Sequence, residues 1–417
     1  MKEFLSDRGR TNVKDVPPLV HAHFSTENDR YHSKNNPTGH INMGTAETHL
    51  VNAEMIDLLY KVQNRMELKP KNIHYDFFQG SIEFRTAIAN HWQNVIFGKN
   101  SKRKITADNI AIGAGCSLAL EMLATMLGDP GDVVLVPTPY YSGFIDDFNE
   151  RARVLPVGVH CGIHLNRDAF ERALAEQKKQ GKRVRAVLFS SPNNPVGTVY
   201  KPEDVQNIIS FCMEHNLEII SDEIYGQTIH DPDAQWVSTL SLVPDEYLHR
   251  THVTSSFAKD FALSGFRTGF TISFNPDLLK GMHVLAYFSA VSTHTQALLT
   301  DLLKAPELPA VMQLSRERMH EAYKIMEKEL NSMGIKTRPA QGGIFIFGDF
   351  SPFMEKKEFS EEHVLWEKIF RELKVNISPG QLFDAEEPGW FRICYAYDTV
   401  TVEEACKRLR TLEKYKK

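Results

Sequence analysis

Residues 255–269, SSFAKDFALSGFRTG, set Lys259 in a run of small and apolar residues, with Ser256 three positions before it and Arg267 eight after. For an isolated lysine and arginine the ordinary reading is a strand and turn from which both side chains snorkel to water. A buried pair reads differently, because an unpaired buried cation is costly and tends to shed its proton. A lysine desolvated beside a second cation keeps a free lone pair and can add to a carbonyl as a Schiff base. An arginine fork binds phosphate oxygens bidentately. The run suits a small ligand that carries both a carbonyl and a phosphate.

Other short apolar runs end in polar residues of matching chemistry. After NIAIG, Gly115, Cys116 and Ser117 open a helical pattern whose free N–H groups suit a phosphate, although a plain N-cap at Ser117 explains the same residues. After RAVLF comes SSPNNPVG, where Asn194 stands between prolines and could donate to a phenolic oxygen or simply make a turn. After LEIIS comes DEIY: Asp222 ends a buried strand, a costly place for a carboxylate unless a cation such as a protonated ring nitrogen meets it. Tyr225 could reach a ring hydroxyl, and Tyr141 in TPYYSGF offers an aromatic plate for stacking. Arg392 lies in the apolar strand GWFRICYA, where an arginine is either at an edge or meets a carboxylate, and a substrate carboxylate is one candidate. A carbonyl, a phosphate and a basic ring on one molecule describe pyridoxal phosphate.

Ligands of parallel α/β sheets bind beyond the carboxyl ends of the strands, so the elements that would position these residues can be read next. From about 109 to 274 the apolar runs NIAIGAG, DVVLVPTP, RVLPVGV, RAVLFSSP, LEIISDEIY, HVTSSFA and TGFTISF alternate with helical patterns. SLALEMLATML and PEDVQNIISFCMEHN are two of those helices, the second with Pro202 at its start. After 305 the rhythm changes to a long helix over 308–333, the strand GGIFIFGDF, a helix after Ser360, the strand GWFRICYA and a last helix opened by a capping box at 401–404. The expected organisation is an N-terminal segment, 1–70, packing with a small C-terminal domain, 305–417, and a large ligand-binding domain, 71–304. No internal repeat or low-complexity linker interrupts it.

Composition bounds the function class. The chain has 417 residues, a net charge of −5 and 42% hydrophobic residues, which argues against a nucleic-acid partner and for an ordinary globular core. Its one dense basic cluster, KKQGKRVR at 178–185, reads as a solvated helix end. The five cysteines form no CxxC pair, so neither a disulfide framework nor a metal site is expected. The polar start and the lack of a long apolar run point to a cytoplasmic protein with no membrane partner.

The ordered motifs MGTAETHL, AGCS, TPYYSGF, SPNNPVG, SDEIY, SSFAKDFALSGFRTG and PGWFRICYA resemble the class I/II aminotransferases of pyridoxal-phosphate fold type I, and especially their 1-aminocyclopropane-1-carboxylate (ACC) synthase-like branch. The resemblance implies an α/β fold with a mostly parallel seven-stranded sheet in the large domain and a smaller α/β domain. It implies Lys259 as the Schiff-base lysine and proton shuttle, Asp222 as partner of the pyridine nitrogen, and Tyr225 and Asn194 at the ring hydroxyl. Cys116, Ser117, Ser256 and Arg267 would hold the phosphate, and Tyr141 would stack. Arg392, with Ala46, Glu47 and Asn194, would bind the substrate. It also implies a homodimer with shared active sites.

Three positions depart from that branch: Phe78 in DFFQG where it has a tyrosine, Ala258 where it has serine, and Ser264 where it has proline. They bear on ACC synthase activity more than on cofactor binding. The expected reaction is transfer of an amino group between an L-amino acid and a 2-oxo acid. Elimination or cyclisation, as in ACC synthase or a carbon–sulfur lyase, is the alternative within the enzymes, and a non-catalytic sensor the alternative outside them.

Overall fold

The computed structural model describes residues 4–13, 18–162 and 164–415. A short strand β1 (Ile41–Asn42) precedes the seven runs named above, which form β2 (Ile110–Gly113), β3 (Val133–Thr138), β4 (Leu155–His160), β5 (Val184–Ser190), β6 (Glu218–Asp222), β7 (Thr251–Ser256) and β8 (Gly269–Ser273). They make one sheet in the order β2-β8-β7-β6-β5-β3-β4. Only β8 runs against its neighbours, antiparallel to both β2 and β7. Strands β3, β6 and β7 are buried along their whole length, because helices cover both faces; β3 accordingly reads as a nearly continuous apolar run, whereas β7, THVTSS, buries hydroxyls and a histidine as well.

The smaller sheet is β9 (Lys336–Arg338), β10 (Phe345–Asp349), β12 (Ser378–Pro379) and β13 (Trp390–Cys394), ordered β12-β13-β10-β9, while β11 (Val375–Asn376) pairs in parallel with β1. The N-terminal strand is thus stitched into the C-terminal unit. The helix Asn52–Arg65 that follows it instead buries Met55, Leu58 and Val62 in the core of the large sheet. The long helix Leu308–Ser332 puts Met319, Tyr323, Met326 and Leu330 into the small core, as their spacing requires. Among the described residues no helix is long and apolar enough to cross a membrane.

Two local expectations are corrected. The last helix spans Thr399–Arg410 and is capped by Asp398, whose side chain accepts from the Thr401 N–H at 3.0 Å. The box at 401–404 does not form because Glu404 is engaged forward, accepting from Arg408 Nε at 3.0 Å. In KKQGKRVR only Lys178 and Lys179 close a helix; Arg183 instead pairs with Asp132 at 2.6 Å, and β5 begins at the next residue.

Candidate functional site

The carboxyl ends of β5, β6 and β7 converge on one cavity. It is lined by Ala46, Cys116, Ser117, Tyr141, Asn194 and Asp222, and further by Tyr225, Ser256, Lys259 and Arg267. These residues come from segments up to 221 positions apart (46 to 267), and every sequence-derived site residue except Glu47 and Arg392 opens onto the cavity.

One end of the cavity is built to hold an anion. The helix Cys116–Leu127 starts after Gly115, whose φ of 91° is left-handed. A Cβ on Gly115 would lie 2.5 Å from Arg267 Nη2, and one on Gly269 would lie 2.4 Å from the Gly115 carbonyl carbon. Only glycines allow the helix N-terminus, the start of β8 and the Arg267 guanidinium to meet. Arg267 itself sits at φ 46°, an uncommon conformation for a residue with a Cβ, and donates to the Ser264 carbonyl at 3.1 Å. Cys116, Ser117 and Ser256 complete this end.

Asp222 closes the floor. Its Oδ1 accepts from Thr254 Oγ1 at 3.2 Å, from the Ile224 N–H at 3.3 Å and from Cys116 Sγ at 3.6 Å. Burial raises its pKa to about 6, against the pull of those donors and of Lys259. The same burial pushes the Cys116 thiol and the Tyr225 phenol well up, so neither ionises near neutrality. Tyr141 folds over the adjoining Gly143, where a Cβ would come within 2.4 Å of its ring.

Lys259 lines the same cavity, half-buried, and donates to the Ala46 carbonyl. Burial lowers its pKa to about 8; the Glu47 carboxylate opposes the fall, and Arg392 and Arg267 add to it. Glu47 stands outside the cavity lining, where Ser264 Oγ donates to its Oε1 at 2.6 Å. Although burial alone would raise the Glu47 pKa, Ser264, His49, Lys259 and His23 together hold it below the ordinary carboxylate value.

Arg392 is interior to its sheet, paired on one side with Phe347 and on the other with Ser378, so the edge reading does not apply. It is buried between the rings of Phe345 and Phe383, 4.4 and 4.6 Å from their centroids. It donates to Asn194 Oδ1 at 3.0 Å and to the Gly44 carbonyl at 2.6 Å. Its Nε is buried with no acceptor, and no carboxylate pairs with it among the described residues. A buried arginine without an anionic partner has the charge and the donor geometry to receive a carboxylate.

Sequence reasoning missed Thr254, Asp147 and the ring clamp on Arg392. Thr254 carried a signal, two residues before Ser256 on a strand face. The clamp carried none, because Phe345 and Phe383 meet Arg392 only through the sheet.

The donor set fits pyridoxal phosphate: anion-binding groups around the start of the helix Cys116–Leu127, a buried carboxylate suited to a cationic ring nitrogen, and an amine opening onto the same cavity. The family model for aminotransferase class I and II matches residues 41–409. ACC synthase 1 of Cucurbita pepo is 31% identical over 402 residues, covering 92% of this chain and 80% of that one. ACC synthase 7 of Arabidopsis thaliana is 31% identical, covering 96% and 92%. Among solved structures, the aspartate aminotransferase of Thermus thermophilus with maleate superposes with a TM-score of 0.82 at 21% identity, over 98% of this chain and 99% of that one, a likeness of fold. By the family match and by these relatives, the chain belongs to the class I and II aminotransferases, a family of pyridoxal 5′-phosphate enzymes.

Proposed function

We propose that the protein transfers the amino group of an L-amino acid to a 2-oxo acid, with Lys259 as the group that both holds the cofactor and moves the substrate proton. The observation that carries this reading is an amine of lowered pKa that shares a cavity with a buried carboxylate, Asp222, and feels the charge of a buried arginine, Arg392, that pairs with no carboxylate among the described residues. When bound, pyridoxal phosphate supplies an electron sink for the bonds at the substrate α-carbon. The chain supplies position and proton traffic. Arg392 and Asn194 orient the substrate carboxylate. Lys259 Nζ, with a pKa lowered to about 8, would take the proton from the substrate α-carbon and hold it for return. Asp222 would keep the ring nitrogen protonated, Tyr225 and Asn194 would meet the ring hydroxyl, Tyr141 would stack, and Cys116, Ser117, Ser256 and Arg267 would hold the phosphate.

A second reading, ACC synthase-like elimination and cyclisation, is favoured by the 31% identity to such enzymes and by Glu47 held ionised next to Lys259. Incubating the protein with cofactor and a panel of amino acids, including S-adenosylmethionine, separates them. Oxo acid formed only when a 2-oxo acid acceptor is present supports transamination; ACC or ammonia without an acceptor overturns it.

We also infer a homodimer. Tyr75, Phe77, Phe78, Tyr287 and Phe288 form an exposed aromatic patch, with Phe78 edge-on to Tyr287 at 5.0 Å and Tyr287 edge-on to Phe288 at 5.1 Å. A patch of that kind on a water-facing surface calls for a partner, and a second copy fits a family with shared sites. The separate cores of the two sheets support a large domain over 71–304 and a small one over 305–417; of the N-terminal segment 1–70, expected to pack with the small domain, Ile41 and Met43 enter the small core while Met55, Leu58 and Val62 enter the large one, as do Leu308 and Met312. Free cysteines among the described residues agree with a cytoplasmic setting.

A further inference from the structure

Asp147 is a second carboxyl lining the same cavity, and the chemistry above gives it no work. It stands on the helix Gly143–Asn149, three residues after the fully buried Phe144, so the helical period sets it on the same inward side. Its Oδ2 is buried and has no hydrogen-bond partner among the described residues, while the Ser117 hydroxyl lies against the carboxyl. The charged and titratable groups that face it are Asp222 from β6, Asp146 on its own helix, Arg267, Tyr141 and Cys116. Ser117 and Arg267 place it at the anion-binding end of the cavity. Burial there raises its pKa to about 7, with Asp222 and Asp146 adding to the rise and Arg267 and Ser117 opposing it.

A phosphate dianion presents only acceptors, and so does an ionised carboxylate. The two can touch only through a proton. We infer that Asp147 belongs to the phosphate cradle and meets the cofactor's phosphate as a neutral carboxylic acid that donates a hydrogen bond, so that cofactor binding takes up a proton at this residue. This rests on the cofactor reading above. The sign follows from like-charge repulsion: the arriving phosphate favours the protonated acid, so above about pH 7 the proton must come from solvent and affinity falls by up to about ten-fold per pH unit.

The test is to titrate the apoprotein from pH 6 to 9 with pyridoxal phosphate and, in parallel, with pyridoxal, which lacks the phosphate. The ratio of the two affinities cancels the titration of Lys259 and of the ring, and the phosphate's own second ionisation is complete by about pH 7. The expected result is a wild-type ratio that falls up to about ten-fold per unit above pH 7. In Asp147→Asn, whose amide donates without titrating, the ratio should stay level, so that the variant binds pyridoxal phosphate more tightly than wild type at pH 9. A level wild-type ratio, or an equal slope in Asp147→Asn, overturns the inference. The wild-type arm decides even if the variant does not fold. No binding of pyridoxal phosphate at any pH overturns this inference together with the cofactor reading, whereas binding without the slope overturns this inference alone.

Discussion

Ser264 and Glu47, 217 residues apart in the chain, are joined by a 2.6 Å hydrogen bond from the serine hydroxyl to Oε1. A second bond, from Lys259 Nζ to the Ala46 carbonyl, ties the same two segments together. The turn after the lysine and the loop carrying Ala46 and Glu47 are therefore one unit, held by a residue that stands where the ACC synthases resembled here have a proline. Proline has no hydroxyl to give.

Removing that hydroxyl should be felt at the lysine. A charge-assisted hydrogen bond contributes about 1.5–3 kcal/mol, and without it Glu47 loses both its position and part of what keeps it ionised. Since Glu47 raises the Lys259 pKa, Ser264→Ala should lower it below about 8. The pH dependence of Lys259 modification by a small aldehyde, read by peptide mass spectrometry, reports the midpoint. A midpoint equal to wild type would show that the bond does not position Glu47.

Arg392 should govern recognition of the substrate carboxylate. Its Nη1 donates to Asn194 and its Nη2 to Gly44 and, at 3.5 Å, to Ser378 Oγ, and no carboxylate pairs with its charge among the described residues. Arg392→Gln is expected to reduce kcat/KM for an amino acid about 10- to 150-fold, the range of a lost charge-assisted contact. It should change little with the matching amine that lacks a carboxylate. Arg392→Lys should recover only part of the loss, since a lysine cannot fill the fork between the Phe345 and Phe383 rings. Equal losses on both substrates would mean that the arginine serves the fold and not the ligand.

Asp222 should be costly to the apoprotein and necessary to the enzyme. Its folded pKa, about 6, lies above the ordinary 3.8, so between those values the unfolded chain has lost a proton that the folded chain keeps. The penalty is absent below about pH 4, grows as pH rises, and is complete above about pH 6. Asp222→Asn should therefore stabilise the apoprotein at pH 7, by up to about 3 kcal/mol, and lose that advantage toward pH 4. Turnover should fall by orders of magnitude, because an amide does not hold a proton on the ring nitrogen. Denaturant unfolding at the two pH values, with the turnover assay alongside, checks both halves; a variant less stable than wild type at pH 7 contradicts the first.

Much of this site was legible in the chain itself. The strands of the large sheet stood out because runs such as Val133–Thr138 are buried on both faces and so carry apolar residues without alternation, and the polar residues following the runs marked their carboxyl ends. Asp222, Lys259 and Asn194 were found that way. Residues whose function depends on where two distant segments meet were not. The Gly44 carbonyl that receives Arg392 lies 348 positions from it, and Ser264 looks like any turn serine until Glu47 is beside it. Asp147 is intermediate: its three-residue spacing from Phe144 marks an inward acid, but nothing in the sequence says which cavity it faces. The capping box at 401–404 failed for a local reason, since Asp398 offers an equally good cap three residues earlier.

Phe78 is the position where cofactor grip should be open to improvement. Its ring is 37% exposed, packs edge-on against Tyr287 and stands 6.2 Å from the ring of Tyr75, which is itself 93% exposed. If the aromatic patch is the dimer face, a hydroxyl on residue 78 would point across it toward the partner's phosphate site, where a charge-assisted bond contributes about 1.5–3 kcal/mol. Phe78→Tyr is then expected to tighten pyridoxal phosphate binding roughly 10-fold or more. The gain should require the dimer, so it should vanish when the protein is diluted until the dimer dissociates. Should Tyr75 already fill the role, Tyr75→Phe in the wild-type background would weaken binding and Phe78→Tyr would leave it level. Cofactor titrations of these variants at high and low protein concentration decide between the two tyrosines, and a dissociation constant unmoved by either substitution removes both from the site.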